Sequence, residues 1–521
     1  MDKKIIHGIL FCWLLLPNFA LLIVRPTDWR QGIELLLISY FLLCLPTVVT
    51  DKWRTFYLLN LPVALISGFV AGYVYYYHIP VTIGLAYSVF DTNMRESLEV
   101  LQRYLPAVLI SVAGFIIYLI LTLTGGHGLI KRRSKLTAAA LWTLLLTIYY
   151  PYLDFELHER FNIYFNNAFI RNAYPYSLAR STYRAWGERT PGNQENISLP
   201  AITTKIQDRN EVYVIVIGES VRNETFKNEV INSHWTDRFN NIVYYDDVLT
   251  QANFTSLSIK MLLTGAGLPE PKKQSHTLLE WQKAAGCFTV VLSNNSTYDF
   301  SRTADLVDSG GDSGVTHYSR FDHDLLPIAA SLIRSNGHKK ICITLHMVGS
   351  HADYKARYEN KFSKYPLTGS EIEKTRAAYK NSIVSLLDFL DRLINLLTEN
   401  NCYAFLAYVS DHGENLQEIK GLKEHVTMTP TRYELKVPML FWASESFIEN
   451  NNKRWRKLIT NRHTAVSNAY LMPTFLDAMG ILEQADGGHT LLPSLFTTFN
   501  VQPRYYVIPD MTVHTEKEML R

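Results

Sequence analysis

Five long apolar runs crowd the first third of this 521-residue chain, at 5–24, 33–49, 56–75, 105–123 and 136–152. Each approaches the roughly 20 residues that a helix needs to cross the hydrocarbon core of a bilayer. A backbone at that depth must satisfy its own hydrogen bonds, so these runs are restricted to helices. The first is preceded by Lys3 and Lys4 but closed by no small-x-small cleavage site, which makes it a retained helix rather than a removed leader. The loops set the orientation. Lys3, Lys4, Lys52, Arg54, Lys131, Arg132, Arg133 and Lys135 fall on one side, and Arg25, Arg30, Arg95 and Arg103 on the other. The richer side is cytoplasmic, so five crossings place everything after about residue 152 outside the cytoplasm. The loop at about 78–104 is expected on that same outer side.

The rest of the chain is of another kind. Hydrophobic residues make up 47% of the whole and charged ones 19%, too apolar for an entirely soluble protein and too polar for a many-span transporter. The net charge is +3, from 51 Lys+Arg against 48 Asp+Glu, a balance that excludes a nucleic-acid binder on charge grounds. Residues 153–209 read as a linker, in which Phe161, Tyr164, Phe165, Tyr174 and Tyr176 suit an interfacial segment. From 210 to 521 short β-branched runs at 212–217, 288–292, 341–345, 403–409 and 437–442 alternate with helical patterns at 325–334, 370–398 and 467–479. That alternation predicts a doubly wound α/β domain with a mainly parallel sheet. The five cysteines form no C-x-x-C pair, so a thiolate metal site is not expected; Cys287, Cys342 and Cys402 read as buried small apolar residues.

Ligands of doubly wound sheets sit at the carboxyl ends of strands. Here those ends carry Gly218-Glu219-Ser220, His346-Met347-Val348-Gly349-Ser350-His351 and Ser410-Asp411-His412-Gly413-Glu414, with His425 a little further on. Carboxylates and imidazoles brought to one edge suit Zn²⁺ or Mn²⁺. Asp322-His323-Asp324 is the unremarkable version of the same residue types, with Asp324 expected to cap the helix at 325–334. Hydroxyls follow the apparent strand Ile242–Leu249, and one at a helix start can serve as a nucleophile for phosphoryl transfer. Thr250, Thr255, Ser256 and Ser258 are equivalent by this argument.

Taken together, these stretches resemble the inner-membrane phosphoethanolamine transferases of Gram-negative bacteria, in the alkaline-phosphatase/sulfatase superfamily. The resemblance is carried by Val216–Arg222, Leu345–His351 with Tyr354 and Arg357-Tyr358, Tyr379–Ile383 and Ser410–Glu414, and on the membrane side by Phe90-Asp91-Thr92-Asn93 with Glu96. It implies an α-helical membrane domain (1–152, five transmembrane helices), a linker (153–209) and a periplasmic sulfatase-like catalytic domain (210–521). It implies that Glu219, Thr255, Asp411 and His412 hold Zn²⁺, that Thr255 is the nucleophile, and that His351 and His425 contact the phosphoryl group. It further implies that Thr92 and Glu96 bind the donor's head group, with His346 structural. The donor would be phosphatidylethanolamine and the acceptor an envelope glycolipid, either lipopolysaccharide lipid A or an inner-core sugar. Ser258-Ile259-Lys260-Met261 departs from the Ser-x-Pro-Cys run of the lipid-A branch, so the acceptor stays open, a periplasmic glucan included. A phosphoglycerol transferase or a sulfatase-type hydrolase is the alternative within the superfamily.

Overall fold

The structure is a computed structural model of the whole chain. It describes residues 2–25, 29–92, 94–131, 172–189, 202, 209–265, 267–268, 276–295, 301, 303–309, 321–335, 338–419, 422–482 and 492–520. The chain forms two compact units, one of residues 1–86 and 97–190, the other of residues 87–96 and 191–521.

In the first unit, two helices among the described residues are long and apolar enough to span a membrane, Lys3–Val24 and Leu105–Gly125. The pair Trp53–Leu59 and Leu61–Tyr77, bent by 57°, makes a third if it counts as one span. The run expected at 33–49 gives only the 15-residue helix Trp29–Leu43, followed by a 3₁₀ turn, Leu45–Val48. Pro46 explains the break, because it lacks an N–H and its ring clashes with the preceding turn. The fifth expected span, 136–152, lies outside the described residues; among those, two or three candidate spans stand where four were expected. Phe161, Tyr164 and Phe165 lie outside them too. Tyr174, expected at an interface, is buried: its hydroxyl donates to Val63 O at 2.8 Å and its N–H to Asn18 Oδ1 at 3.0 Å. A phenol with such partners inside a helix bundle has no need of the head-group region.

Among the described residues the second unit has twelve strands: β1 (Glu211–Gly218), β2 (Ile242–Leu249), β3 (Phe288–Ser293), β4 (Leu306–Ser309), β5 (Lys340–His346), β6 (Tyr403–Ser410), β7 (Asn415–Leu416), β8 (Lys423–Glu424), β9 (Lys436–Ala443), β10 (Val466–Ser467), and the small antiparallel pair β11 (Tyr505–Val507) and β12 (Val513–Thr515). Eight of them make one sheet in the order β10-β2-β9-β6-β1-β5-β3-β4, and β7 pairs with β8 in a separate hairpin. The sheet is parallel except at β9, which runs antiparallel to both β2 and β6. Strand alternation explains the two cores. Tyr213, Ile215 and Ile217 of β1 face one apolar cluster, while Val212, Val214 and Val216 face the other. The helix Glu371–Glu399 covers the second face, begun by a capping box between Ser370 and Glu373. All five cysteines are free thiols, and Cys287, Cys342 and Cys402 are buried.

Register decides where the chemistry gathers. β1 lies between β5 and β6, with Ile217 level with His346 and Gly218 level with Ser410. Three strands therefore stop together, and the residues that follow share one edge.

Candidate active site

Glu219 leaves β1 fully buried. Its Oε1 accepts a hydrogen bond from Ser220 Oγ at 2.8 Å, and its Oε2 accepts from Asn295 Nδ2 at 3.2 Å and from Thr255 Oγ1 at 3.3 Å. The chain turns at Ser220 with φ +60°, and Gly349, at φ +51°, passes against this turn. A Cβ on Gly349 would meet Glu219 O at 2.7 Å, so the backbones approach too closely for any other residue.

Asp411 and His412 leave β6, also fully buried. Asp411 Oδ1 accepts from Ser220 N at 3.1 Å and His412 N at 2.7 Å, whereas its buried Oδ2 accepts no hydrogen bond. His412 Nδ1 lies 2.9 Å from Gly413 O, which makes Nδ1 the protonated nitrogen. The lone pair of Nε2 then points toward Glu219 Oε1 at 3.3 Å and Asp411 Oδ2 at 3.4 Å. Two carboxylates and an imidazole lone pair that converge repel one another unless a proton or a cation joins them. One donor atom from each of Glu219, Asp411 and His412 lies within 4.8 Å of the others, the compact arrangement a metal ion requires. Oxygen and nitrogen donors of this kind fit Zn²⁺.

Thr255 opens the helix Thr255–Thr264, whose N-cap, Phe254, supplies no side-chain cap. Its Oγ1 lies 3.1 Å from His412 Nε2, so a hydroxyl completes the group of donors. The other three hydroxyls are engaged elsewhere. Thr250 Oγ1 and Ser258 Oγ, both buried, donate to Asp411 O, the latter at 2.6 Å, and Ser256 Oγ donates to Asp91 Oδ2.

Burial pushes the Asp411 carboxyl up to about 7. Burial, with the neighbouring His425 for the first of them, holds His412 and His425 down at about 4, so both rings are neutral at neutral pH. The His425 ring centroid lies 4.1 Å from that of His412 and 6.3 Å from that of His351, and His425 Nδ1 lies 3.4 Å from Glu414 Oε2. His346 is also buried, its Nδ1 3.1 Å from Ser293 Oγ.

A sequence model of the sulfatase family matches residues 211–481, more than half of the chain. The chain belongs to the sulfatase family. Relatives of this sulfatase-family chain include phosphoethanolamine transferase EptC of Escherichia coli, 25% identical over 75% of this chain and 74% of that one. Phosphatidylethanolamine transferase Mcr-1, also of E. coli, is 26% identical over 44% of this chain and 48% of its own. Among solved structures, lipooligosaccharide phosphoethanolamine transferase A of Neisseria meningitidis, an integral membrane protein, superposes with a TM-score of 0.71 at 19% identity, over 90% of this chain and 95% of that one. The zinc complex of the periplasmic domain of E. coli EptC gives a TM-score of 0.53 at 22% identity, over 62% of this chain and 98% of that one. At these identities the structural likeness speaks for the fold.

Two expected residues sit on the segment 87–96, which groups with the sulfatase-family unit. Thr92 Oγ1 donates to Ser88 O at 2.5 Å. Glu96 lies on the helix Met94–Arg103, and its side chain is outside the described part. Asp91 of the same segment meets Ser256, the neighbour of Thr255, a contact that sequence reasoning passed over. It also passed over Asn295, although the position just past β3 was a usable signal. Asp322 gave no signal at all. Read as inert beside the cap Asp324, it accepts from Val348 N at 2.9 Å and Gly349 N at 3.0 Å, which braces the loop that leads to His351. Asp324 stands at the helix N-cap but makes no side-chain cap bond.

Proposed function

We propose that this chain transfers phosphoethanolamine from phosphatidylethanolamine to an envelope glycolipid, lipopolysaccharide lipid A or an inner-core sugar, through a covalent intermediate on Thr255. The observation that carries this reading is the Thr255 hydroxyl at a helix N-terminus, 3.3 Å from Glu219 and 3.1 Å from His412. Relatives named for phosphoethanolamine transfer, aligned over three-quarters of the chain, supply the transferred group.

Glu219, Thr255, Asp411 and His412 would hold Zn²⁺, as a zinc complex of the E. coli EptC domain suggests for this fold. Bound there, zinc supplies positive charge that favours an ionised hydroxyl and offsets charge on the phosphoryl oxygens. The chain's own residues do the rest. Thr255 Oγ1 forms a bond to phosphorus as the bond to the diacylglycerol oxygen breaks, and that oxygen leaves with a proton. His351 and His425 carry this proton, a task for which the neutral His425 ring is suited. An acceptor oxygen then bonds to phosphorus, breaks the bond to Thr255 Oγ1, and returns a proton to it. The amides opening the helix Thr255–Thr264 favour the phosphate's charge throughout. Thr92 and Glu96 bind the donor's ethanolamine, the carboxylate facing the ammonium.

The same reading makes the chain a multi-pass protein of a bacterial inner membrane, with five spans and its catalytic unit in the periplasm. Mass spectrometry of the purified protein incubated with phosphatidylethanolamine alone tests it. A phosphoethanolamine adduct is expected on the peptide containing Thr255. An adduct on Ser256 or Ser258 instead, or none with donor turnover intact, would overturn it.

A further inference from the structure

Glu434 is fully buried on the short helix Arg432–Leu435, and all of its acceptor capacity is used. Its Oε1 accepts from Asn253 Nδ2 at 3.0 Å and Thr427 N at 3.1 Å. Its Oε2 accepts from Thr427 Oγ1 at 2.6 Å and Thr431 N at 3.1 Å. Asn253 stands two residues before Thr255, and Thr427 two residues after His425. The same two segments meet directly, since Val426 N donates to Asn253 O at 3.1 Å and Asn253 Nδ2 to Thr427 O at 2.9 Å. The main chain of Glu434 reaches a third segment, its carbonyl accepting from Gly413 N at 2.7 Å, beside His412. One residue thus joins the loops that carry Thr255, His412 and His425.

The His425 loop needs such a restraint. Its flanking residues Glu424 and Val426 adopt φ +56° and +69°, a region that a β-branched valine rarely enters. A conformation of this kind persists only where its surroundings over-determine it. Asn415 Nδ2 holds Glu424 O at 2.8 Å on one side, and Asn253 with Glu434 holds Val426 and Thr427 on the other.

We propose that Glu434 is a positioning residue whose buried carboxylate fixes the spacing between Thr255 and His425, so that transfer depends on it although it touches neither. This rests on the assignment of Thr255 as the attacking group. Misplacing a reacting group by about 1 Å costs about 100-fold in rate, so losses of about 10- to 100-fold are expected.

The test uses the full-length protein with Glu434→Gln, Glu434→Ala and Thr427→Val. Hydrogen exchange of chelator-treated protein should quicken at Val426, Thr427 and Thr431 while β1 and β6 keep their protection. The kcat should fall about 10- to 100-fold for Glu434→Ala and less for Glu434→Gln, with KM for phosphatidylethanolamine within about twofold of wild type. Should Glu434→Ala not fold, Thr427→Val, which removes one bond to the carboxylate, must show the same pattern together with Glu434→Gln. Wild-type kcat in both, or unchanged exchange at 426–431 despite lost activity, overturns the proposal. Thr255→Ala is the separate control: transfer surviving there sinks the functional reading, while the exchange measurement still judges the clamp.

Discussion

The two units solve opposite problems with similar residues. In the membrane unit the helix Leu105–Gly125 turns its apolar side chains outward, with Ile110 71% exposed. Its buried Ser111 satisfies its hydroxyl on the helix's own backbone, donating to Ala107 O at 2.8 Å. In the catalytic unit β1 buries every residue, Ile215 at 0% exposure, and Glu219, Asp411 and His412 are buried just where the strands stop. Lipid accepts an isoleucine on the outside, so the first unit's apolar residues need not find protein partners. Water does not, so the second unit packs its isoleucines and gives its buried carboxylates hydrogen-bond donors, as Ser220 and Asn295 do for Glu219 and Lys364 does for Glu229. Function follows from this difference. The edge of the sheet is the one place where buried Glu219, Asp411 and His412 converge.

The largest effects should come from that edge. Thr255→Ala is expected to lower transfer to background while the protein still inserts and binds zinc, because the attacking oxygen is gone but the stronger donors, two carboxylates and an imidazole, remain. Glu219→Ala, Asp411→Ala and His412→Ala should lower both activity and bound zinc, and chelation should inactivate the wild type until zinc is returned. Metal content by elemental analysis separates the two classes. Unchanged zinc in all three ligand variants would mean that the convergent buried groups serve another purpose.

Next come the two histidines beside the cluster. Alanine at His351 or His425 should reduce kcat by about 10²–10⁴-fold, the range for lost acid–base or electrostatic help, with zinc retained. Single-turnover kinetics beside metal stoichiometry checks this. Loss of zinc in either variant would put that imidazole among the ligands.

A third test strikes the contrast between the units directly. Ile215→Ala should destabilise the catalytic unit by about 2–5 kcal/mol, because it leaves a cavity in a closed core. Ile110→Ala should change stability by no more than about 0.5 kcal/mol, since its side chain meets no packed interior. Thermal unfolding of the full chain in detergent compares them. Equal losses would show that Ile110 is covered by protein and that the outward-facing reading is wrong.

How much of this was legible in the sequence also divides between the units. Short β-branched runs have few alternatives to a buried strand, so 212–217, 341–345 and 403–409 were readable, as was the gathering of Glu219, Asp411 and His412 at their ends. The antiparallel course of β9 was not, because a fully apolar run does not encode its direction. Membrane runs announce apolarity but not continuity, and Pro46 ends one helix inside a run that hydropathy alone would carry across. The residue pattern alone left Thr250, Thr255, Ser256 and Ser258 equivalent and only the resemblance singled out Thr255; the fold adds that Thr250 and Ser258 donate to the carbonyl of Asp411, which is remote in sequence. Asp322 and Asn295 act on partners tens of positions away, which no local pattern identifies, and the Thr431–Glu434 capping box marks a helix start without revealing the bond from Asn253, 181 positions earlier.

The smallest effect should lie in the catalytic unit but away from its edge. Asp247 on β2 bonds to Lys436 and, at 2.8 Å, to Arg504 Nη1, and Glu516 accepts from the same Arg504 at 2.6 Å. Burial alone would push the Asp247 carboxyl up, but hydrogen bonds and charge from Arg504 and Lys436 outweigh it and leave the group below its ordinary value of 3.8. A carboxylate depressed on folding stabilises the native state above its unfolded value, and this contribution is lost as pH falls through the folded value. Because Asp247 is 39% exposed, solvent screens the network, and such pairs are worth about 0–1 kcal/mol. Asp247→Asn should therefore lower the unfolding midpoint by no more than about 4 °C at pH 7, and the gap from wild type should shrink below about pH 4. A gap that is constant from pH 7 to pH 3 would show that Asp247 contributes packing rather than charge. The contrast between the units would then rest on burial alone.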